Sequence, residues 1–165
     1  MHKKTRVRKH TKKNRTRTGG QINKYRSRAG DGNSENKTEI KQTIVLTFIE
    51  MLDTIKLHHW KTMSFATHKA TDDIYSKLSD NIDKFVEVMI GKNGERIELS
   101  SFKTIPLYDY DNDANFKDKI DTYKTFLIEL TKDTDLNLEN NTDLLNTRDE
   151  ILGNLNQLTY LLTFK

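Results

Sequence analysis

From residue 39 onward, apolar residues recur at intervals of three and four and never alternate over more than a few positions, which predicts helices and no strands. Ile44, Phe48, Met51/Leu52, Ile55 and then His59 mark a helix over about 38–62, with Asn36 and Glu39 placed as a variant capping box. Ile74/Tyr75, Leu78, Ile82, Phe85 and Met89 mark a second over about 67–90, ended by Gly91. A third, about 114–132 behind an Asp113 cap, shows Phe116, Ile120, Tyr123, Leu127 and Leu130. The fourth, about 142–163, shows Leu144/Leu145, Ile151/Leu152, Leu155, Leu158 and Leu162. Gly91, Gly94, Pro106 and the polar run 109–113 make 91–113 a long connection, with a short helix expected near 99–102.

Each predicted helix carries one apolar stripe, and four such stripes are covered together only by packing around a common axis. The expected fold class is therefore all-α, a four-helix bundle. A short link between the first two helices and a long crossover between the second and third predict the ferritin-like arrangement in preference to an up-and-down bundle.

Charge divides the chain. Residues 1–38 hold 13 of the 28 Lys+Arg against only Asp31 and Glu35, a net +11; residues 39–165 keep 15 basic and 22 acidic side chains, a net −7. Residues 1–33 offer only Val7 and Ile22 as aliphatics larger than alanine, too little to offset ordering entropy, so 1–38 is expected to be a disordered basic tail and 39–165 the bundle. The cations Lys3, Lys4, Arg6, Arg8, Lys9, Lys12, Lys13, Arg15, Arg17, Lys24, Arg26 and Arg28 suit a polyanion. With Tyr25 the one side chain able to stack on a base, phosphate contacts without sequence readout are expected, nucleic acid being favoured over a targeting or solubilising tail and anionic lipid headgroups staying open as a partner. No apolar stretch follows the basic start, so neither a secretory signal nor a membrane span is predicted, and a cytoplasmic or nucleoid-associated location follows.

The chain has no cysteine, so a metal would be held by His, Asp and Glu. On a helical wheel with His68 at the origin, Asp72, Asp83 and Glu87 fall within roughly 100° of it, flanking the apolar stripe. Histidine and carboxylate at i, i+4 meet on one face, as a cation with imidazole and oxygen ligands requires. His68 and Asp83 are about 22 Å apart along the helix axis, so one chain cannot close the site. An antiparallel two-fold partner could, setting His59, His68 and Asp72 of one subunit against Asp83 and Glu87 of the other.

Through His59-Trp60 and His68-x3-Asp72-x10-Asp83-x3-Glu87, residues 39–165 resemble the Dps, or miniferritin, family. The resemblance implies an intersubunit ferroxidase centre on those five residues that binds Fe(II), oxidises it with hydrogen peroxide or oxygen and stores Fe(III). It also implies a homo-oligomer, a dodecamer if the family pattern holds, and a basic tail that binds DNA. His59 and His68 stand closer together than is usual in the family, so the turn between their helices should be shorter, with His58 as an alternative to His59. That turn also motivates a second reading, a non-enzymatic nucleic-acid packaging protein on a metal-free bundle. The Lys/Arg/Thr-rich start with Gly19-Gly20 resembles the starts of small proteins of large DNA viruses, which would place the protein in a virion or on viral DNA. Trp60 is expected in the core or an interface. Asp109, Asp111 and Asp113 lack the Gly and distant Glu of a calcium loop and are expected to be solvated.

Overall fold

A computed structural model describes residues 33–164 and consists of four α-helices with one short 3-10 turn. α1 spans Asn33–Lys61, α2 Phe65–Asn93, α3 Asp113–Leu130 and α4 Thr142–Leu161, with the 3-10 turn at Leu138–Asn140. The all-helical, four-helix expectation holds for these residues. The tail cations from Lys3 to Arg28 lie outside them.

The helix ends differ from expectation for local reasons. α1 begins at Asn33, taking in residues 33–38 that were assigned to the tail. α2 starts behind Ser64, whose hydroxyl accepts from Thr67 N–H at 3.2 Å. It runs through Gly91, since one glycine inside a helix costs only about 1 kcal/mol, and stops where Gly94 takes φ 70° and its N–H bonds Ile90 O. The cap of α3 is Asn112 rather than Asp113, its side chain accepting from Asn115 N–H at 2.9 Å. Residues 99–102 form a turn closed by Phe102 N–H on Leu99 O, not a helix.

The core is built from the predicted stripes: Ile44, Phe48, Met51 and Ile55 on α1; Ile74, Leu78, Phe85 and Met89 on α2; Phe116, Ile120, Tyr123 and Leu127 on α3; and Ile151, Leu155 and Leu158 on α4. Leu136 and Leu138 from the α3–α4 link close one end.

α1 packs on α2 and α3, and α4 packs on α2 and α3. Each pair is antiparallel. His59 meets His68 and Lys56 meets Asp72 between α1 and α2, while His58 meets Asp113 and Glu50 meets Lys119 between α1 and α3. Lys92, Lys84 and Lys77 of α2 meet Asp143, Glu150 and Gln157 of α4 in that order. The connection 94–112 passes Gln42, whose amide donates to Glu98 O, and reaches Lys61, which pairs with Asp109 and Asp111. It therefore crosses the length of the bundle along α1, as the long break in the hydrophobic pattern implied.

α1 buries more than its apolar stripe. Thr43, Thr47, Glu50, Thr54 and His58 are also buried and form a second, polar stripe at the same three-to-four spacing. Its lower members face α3: Glu50 reaches Lys119, Thr54 reaches Tyr123 and His58 stacks on Phe116. The expectation of a single buried stripe per helix is corrected here, because α1 has neighbours on two sides.

Candidate metal centre

The turn 62–64 between α1 and α2 is short, as the His59–His68 spacing predicted, and it sets the two histidine rings face to face with centroids 4.0 Å apart at 21°. His59 lies in the last turn of α1, where backbone carbonyls have no partner within the helix. Its carbonyl is taken by His68 Nδ1 at 3.1 Å, while His59 Nδ1 lies 3.0 Å from His68 O. A carbonyl oxygen only accepts, so each Nδ1 donates to the carbonyl of the other histidine, and each Nε2 lies outside this pair of bonds. Metal-binding histidines are commonly oriented in this way, Nδ1–H on a carbonyl and Nε2 free for the ion.

Asp72 adjoins the pair. Its Oδ1 is 3.9 Å from His59 Nε2 and 3.9 Å from Lys56 Nζ, and its side chain is half exposed. The structure thus brings His59, His68 and Asp72 together at one end of the α1/α2 face. It does not bring Asp83 and Glu87 to them: both are exposed on α2, about 16 and 22 Å beyond Asp72 along the axis. Among the described residues, no three His, Asp or Glu of one chain form a set that could hold a metal ion.

His58 does not join His59 at this pair, because it lies about 100° further round α1 and faces α3. It is buried, stacks on Phe116 at 3.8 Å and 9°, and sets Nε2 3.0 Å from Asp113 Oδ1. A cleft of about 320 Å³ opens beside it, lined by Lys61, Thr62, Tyr110 and Asp111 among others. The loop 109–113 is exposed, as expected, yet it is also tied down. Lys61 Nζ lies 2.9 Å from both Asp109 and Asp111, which raises the Lys61 pKa through those hydrogen bonds and lowers that of Asp111.

Burial lowers the His58 pKa from its ordinary 6.5, against the opposing pull of Asp113. The folded protein therefore takes up this proton at a lower pH than the unfolded chain does. Between 6.5 and that lower value the unfolded state binds more protons, so stability falls as pH falls. Urea unfolding on acidification through this window should show a steeper loss for the wild type than for His58→Gln, and parallel losses would refute the assignment.

Trp60 is not in the core of this chain: it is 68% exposed, with Lys56 Nζ 5.8 Å above its ring. Met63 and Phe65 beside it are exposed as well. Sequence reading missed a buried polar cluster, Glu50, Thr54, Lys119 and Tyr123, in which Glu50 and Lys119 pair at 2.6 Å. The signal was present as polar residues repeating at helical spacing along α1, next to the apolar stripe.

The fold and this site define an all-helical, four-helix protein with a stacked histidine pair at the α1–α2 turn and Asp72 3.9 Å from one of its rings. Residues 59–162 match a family described as a family of unknown function, DUF5856, and the chain belongs to that family. Over 107 residues it is 36% identical to an uncharacterized 14.6 kDa protein of enterobacteria phage T4 from the mobD-ri intergenic region, covering 65% of this chain and 75% of that protein. No solved structure matches. Among the described residues, no helix is long and apolar enough to cross a membrane.

Proposed function

We propose that this chain is a Dps-like, ferritin-like protein that binds Fe(II) between subunits, oxidises it and holds DNA through its basic tail. The observation that carries the reading is the reciprocal histidine pair, in which both Nδ1 atoms meet carbonyls and His59 Nε2 lies 3.9 Å from Asp72 Oδ1, with no closed ligand set from the same chain among the described residues. Asp83 and Glu87 of a two-fold partner would supply the rest. The antiparallel neighbours and the crossover along the bundle support the ferritin-like part, since that arrangement needs a connection as long as the helices.

In chemical terms, neutral imidazoles and carboxylates suit Fe(II), and the carboxylates stabilise the higher charge of Fe(III). Two Fe(II) give one electron each to hydrogen peroxide, which takes two protons and leaves as two waters. The residues 1–38 would keep this chemistry beside DNA by contacts to phosphate. Similarity to a phage T4 protein supports a viral setting for it.

An anaerobic Fe(II) titration read by Trp60 fluorescence tests the proposal, because Trp60 adjoins His59. A saturable quench is expected, lost in Asp83→Ala/Glu87→Ala, together with an oligomer in sedimentation. A flat titration with a sedimenting oligomer would favour the second reading, a packaging protein on a metal-free bundle, which the open one-chain ligand set also motivates.

A further inference from the structure

We infer that the bundle end carrying the α1–α2 turn is a docking surface for a second copy of this chain, with Met63 of each copy seated in an apolar groove of the other. The contact is separate from the iron reading above: it uses the end of the bundle, whereas that reading pairs copies along α2 through Asp83 and Glu87.

Trp60 stands in the last turn of α1, Met63 on the turn, Phe65 at the first position of α2, and Tyr160 and Phe164 at the end of α4. They are 68%, 100%, 80%, 62% and 51% exposed in that order. At about 200 Å² for a side chain of this size, they leave roughly 700 Å² of largely apolar surface bare. That exceeds the roughly 300–600 Å² of the largest patch on a typical monomer and comes close to the about 800 Å² that each partner gives to a stable interface. A groove of about 610 Å³ lies between the start of α2 and the end of α4, walled by Phe65, Ala66, Leu162 and Phe164. Tyr160 braces Phe164 edge to face, with ring centroids 5.1 Å apart. Met63 sits two residues before Phe65 at the same end, and a thioether on three rotatable bonds fills an irregular hollow well. Knob and groove on one surface are self-complementary: a two-fold axis through this end puts each Met63 into the other copy's groove. Other occupants suit it less. Residues 1–32 hold only Val7 and Ile22 as aliphatics larger than alanine, so the chain's own basic segment has little to fill the groove with. An anionic lipid surface calls for spare cations, yet Lys61 beside the turn lies 2.9 Å from both Asp109 and Asp111, and residues 33–165 carry a net −7.

Sedimentation velocity of the full-length chain at high salt, which strips nucleic acid from basic segments, tests the inference together with the emission of Trp60, the one tryptophan. With rising concentration, wild type should pass from monomer to a larger species while Trp60 emission shifts to the blue as its ring leaves water. Met63→Asp and Phe65→Asp should each weaken this association by about thirtyfold or more and keep the emission at long wavelength. Both should keep the helical circular dichroism, because Met63 is fully exposed and a carboxylate in the first turn of α2 is favoured by the helix dipole. Asp83→Ala/Glu87→Ala should associate as wild type does. An oligomer lost in that double variant and kept in Met63→Asp would assign association to the pairing of the iron reading and overturn this one. A wild type that stays monomeric, or association unchanged in both Asp variants, would overturn it as well. Binding to phosphatidylserine vesicles, lost in both Asp variants and without self-association in wild type, would replace the second copy by a membrane.

Discussion

Glu50→Ala is expected to lower the free energy of unfolding by about 3–5 kcal/mol, a large share of the roughly 5–15 kcal/mol that holds a domain folded. Glu50 is 1% exposed and Lys119 8%, with their charges 2.6 Å apart between α1 and α3. Tyr123 donates to Glu50 Oε1 at 3.2 Å and lies 2.9 Å from Thr54 Oγ1, while Tyr108 sets its ring 3.7 Å under the ammonium. Burial, and next the Glu50 charge, push the Tyr123 phenol far above its ordinary range, so it remains a donor. Removing the carboxylate takes the Glu50 countercharge from an ammonium that stays largely buried, and that desolvation is the main cost. Glu50→Met combined with Lys119→Leu should therefore come within about 1–2 kcal/mol of wild type or exceed it, because both charges leave together. Urea unfolding of the two variants decides the matter. Equal losses in both would mean that packing, and not the unpaired charge, sets the cost.

Deleting residues 1–32 is expected to remove nearly all affinity for double-stranded DNA. The segment carries twelve Lys/Arg and Asp31, so the remaining chain has a net charge of −7 and repels phosphate. If about six of the cations sit on phosphates, binding by the full chain should fall with a log–log salt slope of about −5, a loss of about a thousandfold between low and physiological salt. Sequence preference should be weak, because lysine and arginine on phosphate carry no base readout. Filter binding or fluorescence anisotropy over a salt series checks both points. A truncated chain that still bound DNA with a similar slope would place the interface on the bundle and refute the tail's role. Because α1 begins at Asn33, this cut spares the helix, which a cut at residue 38 would not.

The four helices were legible because burying one stripe of a helix leaves apolar residues at three-to-four spacing, and Ile74, Leu78, Ile82, Phe85 and Met89 show it without interruption. The length of the crossover was legible for the opposite reason, a stretch with breakers and no period. The ends of α2 and α3 were less so. Gly91 and Gly94 look alike in sequence, and only the positive φ at Gly94 separates them. Of the candidate ligands, His59, His68 and Asp72 do adjoin, as i, i+4 spacing and a short turn required, and Asp83 and Glu87 stay apart on the same helix, as about 1.5 Å per residue also required.

By itself, then, the sequence determined the helical class, the core stripes, the charge division and the face that carries the histidine and carboxylates, since each depends on spacing along one chain. Tertiary structure alone decided what the polar stripe Thr43, Thr47, Glu50, Thr54 and His58 does. A polar residue at helical spacing is equally suited to water or to a polar partner. Which it meets depends on whether another helix arrives, and α3 does. The same holds for the contacts of His59 and the burial of Thr71: partners nine and twelve residues away are set by how two helices are folded against each other.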